Sequence, residues 1–345
     1  MKIAQVAPLF ERVPPKAYGG TERVISYLTE ELVRQGHEVT LFASGDSLTA
    51  AQLVPVVEQS LRLDLNRQEW LIYHTMMLDQ VAAMADAFDV IHFHTDYLHF
   101  PLTRRLPAAH ITTLHGRLDL PDLVPLYRHF NQVPLVSISE SQRRPLPWAN
   151  WLATVYHGLP SDLYTFHAKP GEYFAFVGRI SPEKRVDRAI EIAIRCGVPL
   201  KIAAKIDRAD QAYFKEHIEK LFQHPLVEYI GEVGETEKRS LLGQARALLF
   251  PIDWPEPFGL VLIEAFACGT PVIAYRHGSV PEIVEEDVTG ILVSDQEQAL
   301  QAAQRIGDLD RALCRRTFEQ RFTAQHMAEN YLKVYRQVID AHKEQ

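Results

Sequence analysis

Two glutamates carry the chemistry that is easiest to read in this chain. Glu256 and Glu264 lie eight residues apart in the stretch WPEPFGLVLIEAFACGTPVIA, residues 254–274. Between them sit a Pro-Phe-Gly turn, Pro257 to Gly259, and the start of an apolar run that ends at Gly269. Pro and Gly at these places mark a loop-to-helix junction and a helix stop. One carboxylate therefore stands at a helix mouth and the other inside the helix. A helix N-terminus offers unpaired N–H groups and the positive end of a dipole, which suits a phosphate. An ionised carboxylate is an acceptor with about four lone-pair sites, which suits hydroxyls. Phosphate plus many hydroxyls points to a nucleotide-sugar. The plain alternative is an apolar packing helix with a glutamate placed near its start by the dipole alone.

The elements that must hold this stretch follow from periodicity. Thr270 to Tyr275 reads as a short buried strand, so the unit is loop, helix, strand. At the start of the chain, Lys2 to Ala7 is an apolar run of strand length, followed by a loop from Pro8 to Gly20. Val24, Ile25, Leu28, Leu32 and Val33 then recur at helical spacing between Thr21, which could cap the helix, and Gly36. His37 to Ala43 is the next strand, completing a β-α-β unit and implying a parallel sheet. Residues 50–88 read as helical, with Trp70, Tyr73, Met76 and Met77 as core. Strands follow at 88–94, 110–115, 134–139 and 152–158. Two of them end in histidine. Ligands of open parallel sheets sit at strand carboxyl ends, which makes His94, Asp96 and His115 candidates. A hydrogen-bonded structural histidine is the competing reading for each.

The pattern then restarts. Tyr173 to Val177 is a strand that runs into Gly178-Arg179-Ile-Ser-Pro-Glu183-Lys184, and a helix spans Val186 to Cys196. Strands at 200–204, 227–230, 247–251 and 289–293 alternate with helices at 209–222, 235–245, 296–305 and 311–343. The loop before the first helix carries Gly19-Gly20 and lacks the G-x-G-x-x-G spacing of dinucleotide binders. A Gly-Gly pair at a helix mouth can still let backbone approach a phosphate closely.

Composition bounds the function. A chain of 345 residues has room for about two domains, and 47% apolar with 23% charged residues is a globular balance. A formal charge of −8 argues against a nucleic-acid partner. Cys196, Cys268 and Cys314 lie far apart in or near apolar helical runs, which suits buried free thiols in a reducing cytoplasm. No run approaches the ~20 apolar residues of a membrane span, and the N-terminus is strand-like rather than a leader. His92, His94, Asp96 and His99 give no clean ligand set, so no metal is expected. Arg104-Arg105 and Arg143-Arg144 read as solvated surface. Weak peripheral contact with the inner face of a membrane stays open.

The Glu256–Gly290 segment, the Phe176–Lys184 segment, Gly19-Gly20 and His115-Gly116 together resemble the family 4 glycosyltransferases, over essentially the whole chain. The resemblance implies the α/β GT-B fold: two Rossmann-like parallel-sheet domains facing across a cleft, with a C-terminal helix crossing back to the first. The expected domains are 1–165 on the acceptor side, 166–324 on the donor side and 325–345 as the returning helix. It implies a retaining transferase that uses a nucleotide diphosphate sugar. UDP is favoured, with a glucose-type sugar, and GDP is next. Arg179 and Lys184 match the Gly-Arg…Glu-Lys loop that holds the diphosphate, whose charge grows as the sugar bond breaks. Glu256 takes sugar hydroxyls and Glu264 ribose hydroxyls, while backbone of Phe258, Gly259 and Leu260 supports phosphate or sugar. Gly19 and Gly20 match the loop that faces donor phosphate and acceptor, and His115 the histidine that touches a donor hydroxyl. The implied catalytic set is thus Glu256, His115, Arg179 and Lys184. The acceptor, whether saccharide, lipid-linked sugar or small molecule, is not named by any motif. Two departures stand out: Tyr156-His157-Gly158 replaces an Asn-Gly pair, and Lys205-Ile206-Asp207 a Gly-rich turn.

Two other functions compete. A nucleotide-sugar epimerase of the same fold needs an acid and a base beside the sugar's C2, and no carboxylate in the first half's loops fits. A non-catalytic nucleotide-sugar binder would have no need of the intact Arg179, Lys184, Glu256, Glu264 set.

Overall fold

The computed structural model describes residues 1–17, 19–62 and 69–344. The chain divides into two compact units, one of Met1–Pro160 with Ala324–Gln345 and one of Ser161–Thr323.

Unit 1 is built on β1 (Lys2–Val6), α1 (Gly20–Arg34), β2 (Glu38–Ser44), β3 (Gln52–Val57), α2 (Trp70–Ala83), β4 (Val90–Phe93), β5 (Ala109–Thr113), β6 (Leu135–Ser137) and β7 (Trp151–Thr154). Its seven strands pair in parallel in the order β3-β2-β1-β4-β5-β6-β7. Central strands of such a sheet are covered on both faces, and for this reason they read as continuous apolar runs. The helix Ala324–Lys343 belongs to this unit and packs against α1, β4 and β5.

Three expectations for this half need correction. Residues 52–57 form an edge strand rather than a helix. Pro55 hid it, because proline lacks a ladder donor, but an edge strand tolerates that loss. Residues 63–68 of the same stretch lie outside the described residues. Of the aromatic and Met positions on α2, only Met77 is buried, whereas Trp70 is 42% and Met76 55% exposed. Thr21 does not cap α1; Gly19 is the N-cap and no side chain bonds there.

Unit 2 comprises β8 (Phe174–Arg179), α3 (Val186–Cys196), β9 (Leu200–Lys205), β10 (Val227–Gly231), α4 (Glu235–Gly243), β11 (Ala247–Phe250), α5 (Leu260–Cys268), β12 (Val272–Tyr275), β13 (Gly290–Val293), α6 (Gln296–Arg305) and α7 (Arg311–Arg321). Its six strands are also parallel, in the order β10-β9-β8-β11-β12-β13. Residues 209–222 are not the single helix that the pattern predicts. They break into short turns at Arg208–Asp210, Gln211–Tyr213 and Phe214–Ile218. The bend keeps Asp210 Oδ2 at 3.4 Å from Arg179 Nε. Of the three thiols, Cys268 and Cys314 are buried, while Cys196 is only half-buried.

One buried cation ties unit 2 together. Arg311 is 5% exposed. It donates to the carbonyls of His167 (2.6 Å), Ala245 (3.0 Å) and Gly243 (2.9 Å) and to Thr270 Oγ1 (2.7 Å). Two of those carbonyls lie at the C-terminal end of α4, where a helix dipole favours a cation. Arg311→Met keeps the stem but strands three carbonyls. Each charged hydrogen bond contributes about 1.5–3 kcal/mol, so a loss of about 3–5 kcal/mol is expected in urea unfolding. A change below about 1 kcal/mol would remove this residue's structural role.

Candidate functional site

The Glu256 turn is held from two sides. The amide of Asp253 donates to the carbonyl of Glu183 (2.8 Å), which ties the loop after β11 to the loop after β8. From the other side, Ser279 donates its amide to the carbonyl of Glu256 (2.9 Å) and its hydroxyl to that of Phe258 (2.9 Å). Gly278 makes this clamp fit: a Cβ there would lie 2.3 Å from the Glu256 amide nitrogen, and its φ is +59°. Gly259 caps α5 in the left-handed region, φ +83°, and Leu260 is the first helical residue. The amides that open α5 have no acceptor within the helix, which leaves them directed outward. Phe258 itself is buried, with its ring 6.4 Å from that of Phe322.

Each of the two predicted carboxylates has a lysine partner. Lys184 pairs with Glu256 Oε2, which also accepts from Trp254 Nε1 (3.0 Å), and the Lys184 ammonium sits 4.8 Å from the centre of the Trp254 ring. Glu264, 3% exposed, accepts from Lys238 Nζ at 2.6 Å. Lys238 also reaches Glu235 Oε2 (3.4 Å), and Tyr164 donates to the other oxygen of Glu235. Lys238 was not a predicted site residue. The signal for it was Glu264 itself, since a carboxylate inside the apolar run LVLIEAFAC requires a buried cation. Spacing could not say which one.

Arg179, at the end of β8, bonds Glu183 and approaches Asp207 (3.8 Å) and Asp210 (3.4 Å). Lys205 pairs with Asp207 at 2.8 Å, so the Lys205-Ile206-Asp207 departure lies beside Arg179. Burial acts to raise Glu183, but hydrogen bonds from its own amide, Ser181 and Arg179 outweigh it and leave the carboxyl below its ordinary value. Burial pushes Asp210 up. Arg179, Lys184, Glu256, Phe258, Gly259, Leu260 and Glu264 all belong to unit 2.

Gly19, Gly20 and His115 belong to unit 1. A Cβ at Gly19 would meet Pro15 Cβ at 2.8 Å, so the loop closes on the α1 mouth only with glycine there. Glu22, one turn in, is 6% exposed, and burial pushes its carboxyl up to about 7. His115 follows β5. Gln142 fixes its loop by donating to the carbonyls of Leu114 and Gly116, both at 2.8 Å. His115 Nε2 lies 2.9 Å from His94 Nδ1, and its ring stacks on that of His157 (centroids 5.3 Å, 17°). Thus the Tyr156-His157-Gly158 departure puts an imidazole against His115. Asp96 is exposed with φ +49°. Arg104, Arg105 and Arg144 are exposed, with Arg104 over the ring of Phe130 (5.4 Å), while Arg143 is half-buried over that of Trp151 (5.6 Å).

Among the described residues, no three His, Cys, Asp or Glu side chains gather as a metal-ligand group. The Asp-x-Asp spacing at Asp308-Leu309-Asp310 serves a helix end, because Asp310 caps α7 by accepting from the Ala312 amide (2.8 Å). No helix of the described residues is long and apolar enough to cross a membrane.

Comparison with known proteins fits this geometry. Residues 18–159 match the model of Glycosyltransferase Family 4, and residues 165–312 that of Glycosyl transferases group 1. The chain is 22% identical over 383 aligned positions to the O-antigen chain mannosyltransferase C of Escherichia coli, covering 98% of this chain and 99% of that one. It superposes on AviGT4, a glycosyltransferase of avilamycin A biosynthesis, with a TM-score of 0.77 at 25% identity and 98% coverage of both chains. Anabaena HepE, solved with UDP and glucose, matches with a TM-score of 0.74 at 19% identity, covering 97% of this chain and 99% of that one. The fold is GT-B, and the chain belongs to the family 4 glycosyltransferases. It is a nucleotide-sugar-dependent transferase.

Proposed function

We propose that this enzyme moves a hexose, with retention and without a metal, from a UDP-sugar to a saccharide, lipid-linked or small-molecule acceptor in the cytoplasm. The observation that carries the reading is the pairing of Glu256 with Lys184 and of Glu264 with Lys238 at the mouth and in the body of α5. Two hydroxyl acceptors and the cations beside them make a site for a polyol phosphate. Arg179 and Lys184 hold the diphosphate, Arg179 as a fork and Lys184 as a point charge. Glu256 takes sugar hydroxyls and Glu264 ribose hydroxyls. The amides of Phe258, Gly259 and Leu260 face phosphate or sugar at the positive end of the α5 dipole. Gly19, Gly20 and His115 serve the acceptor side and a sugar hydroxyl. As the bond from sugar C1 to phosphate oxygen breaks, charge grows on the phosphate, where the two cations stabilise it. The acceptor oxygen bonds to C1, and its proton passes to the departing phosphate oxygen.

UDP is favoured because HepE, which shares the fold, was solved with UDP and glucose. The mannosyltransferase relative makes GDP-mannose the comparison to run. Ligands that bind only the native state raise the melting temperature by mass action. UDP and a UDP-hexose, at about 100 times Kd, are expected to stabilise the enzyme by about 2.7 kcal/mol, with or without Mg²⁺. Arg179→Ala is expected to remove most of that. A shift with GDP alone would change the donor. No shift with any nucleotide, or a shift that survives Arg179→Ala, would overturn the site.

A further inference from the structure

We propose that His94, held by Gln5, is a positioning residue that sets the tautomer of His115, so that His115 presents Nδ1 as a hydrogen-bond acceptor to a ligand hydroxyl. The inference rests on the reading of His115 as a sugar contact and adds to it the proton that this contact requires.

The derivation is a count of protons along a buried chain of hydrogen bonds within unit 1. Gln5 Nε2 donates to Tyr335 Oη (3.0 Å), so Gln5 Oε1 is the face turned to His94 Nε2 (2.8 Å). A carbonyl oxygen only accepts, so His94 Nε2 carries the proton. His94 is 2% exposed, and burial, with His92 and His115 beside it, holds it well below its ordinary value and therefore neutral. A neutral imidazole has one N–H, which makes His94 Nδ1 an acceptor. His115 Nε2, 2.9 Å away, must then donate to it. His115 is neutral too, since burial pushes it down to about 3. Its Nδ1 is left with a lone pair, and that atom is buried without a hydrogen-bond partner.

The same direction of donation carries to the far end of the chain. Tyr335 Oη accepts from Gln5 and donates to His92 Nδ1 (2.8 Å), so His92 Nε2 donates to Thr113 Oγ1 (2.7 Å). Thr113 Oγ1 in turn lies 2.9 Å from Tyr331 Oη. Every internal nitrogen and oxygen from the terminal helix to His94 is satisfied by one direction of donation, and the unmet acceptor falls at His115. A buried acceptor with no donor is costly unless a ligand completes it. A sugar hydroxyl is a donor of the right kind.

The test is nitrogen NMR of ¹⁵N-histidine-labelled enzyme, in which the two neutral tautomers have distinct long-range proton–nitrogen patterns. His115 is expected in the Nε2–H form. An Nδ1–H form in the unaltered enzyme would overturn the proposal without any variant. His94→Gln keeps an oxygen acceptor for His115 and should keep both tautomer and rate. His94→Leu removes it and should give mixed tautomers at His115 and a fall in kcat/KM of about tenfold, the size of one neutral hydrogen bond. Unchanged tautomer and rate in His94→Leu would also overturn the proposal. If His115→Ala leaves kcat/KM untouched while the Nε2–H form is observed, the contact reading fails and the functional claim with it.

Discussion

As the pH falls below 6.5, unit 1 is expected to lose stability. His92, His94, His99 and His157 are all at most 3% exposed. Burial, the largest cause in each, holds them well below the ordinary value of 6.5. A histidine whose folded value is depressed takes up a proton on unfolding, so its contribution is present above pH 6.5 and fades as the pH falls below it. Each such group costs up to about 1.4 kcal/mol per pH unit below 6.5 while it stays neutral in the folded state, and the four act in the same direction. A typical domain has only about 5–15 kcal/mol to lose. Glu22 works the other way. Its carboxyl is raised from 4.5 to about 7, so its contribution is full below 4.5 and is lost as the pH rises through 7. One group at about 1.4 kcal/mol per unit cannot offset four. Urea unfolding at pH 7.5, 6.5, 5.5 and 5.0, with hydrogen exchange to locate the loss, should show protection failing first in β4, β5 and the terminal helix. Stability unchanged down to pH 4.5 would contradict the buried neutral histidines. His110 and His115, pushed down to about 4 and about 3 by burial, steepen the same trend.

The second large effect is on turnover. Glu256→Ala or Lys184→Ala should each lower kcat/KM by about 10²-fold or more, the cost of one transition-state contact in a preorganised site. The geometry adds that the two losses will not multiply. Lys184 and Glu256 share one ion pair, with side chains 18% and 11% exposed, so either change takes the opposite charge away from the other partner, which keeps its contact with Trp254. A double-mutant cycle on initial rates is expected to show strong coupling, with the double variant close to the worse single one. Melting temperatures of the variants separate this from unfolding. Near-normal rates in both single variants would sink the site, and full additivity would mean that the pair does not act as a unit.

Much of the architecture was legible because both sheets are parallel. Their central strands are covered on two faces and appear as unbroken apolar runs, and β1, β4, β11 and β12 are read directly. Edge strands carry a weaker signal, as Pro55 in β3 shows. At the site, Gly259 and Gly269 mark the two ends of α5 in the chain, and both adopt the left-handed conformation there. Lys238 is not legible in the sequence because its partner is 26 residues away on another helix. The hydrogen-bond chain from Tyr335 to His115 is hidden for the same reason. Strand-end histidines can be read from a sequence, but a hydrogen bond between His92 and a tyrosine 243 residues later is a tertiary fact.

The division of the chain also orders its synthesis. Unit 2 is one uninterrupted segment, Ser161–Thr323, whereas unit 1 is finished only by the helix that follows it. On a ribosome, the sheet of unit 1 emerges before unit 2, yet the hydroxyls of Tyr331 and Tyr335 that complete Thr113, His92 and Gln5 emerge after it. Until they arrive, the polar interior of the older half has unmet donors and acceptors while the younger half already holds all of its own sequence. Vectorial folding therefore favours unit 2 closing first, with unit 1 locked by the helix that follows it.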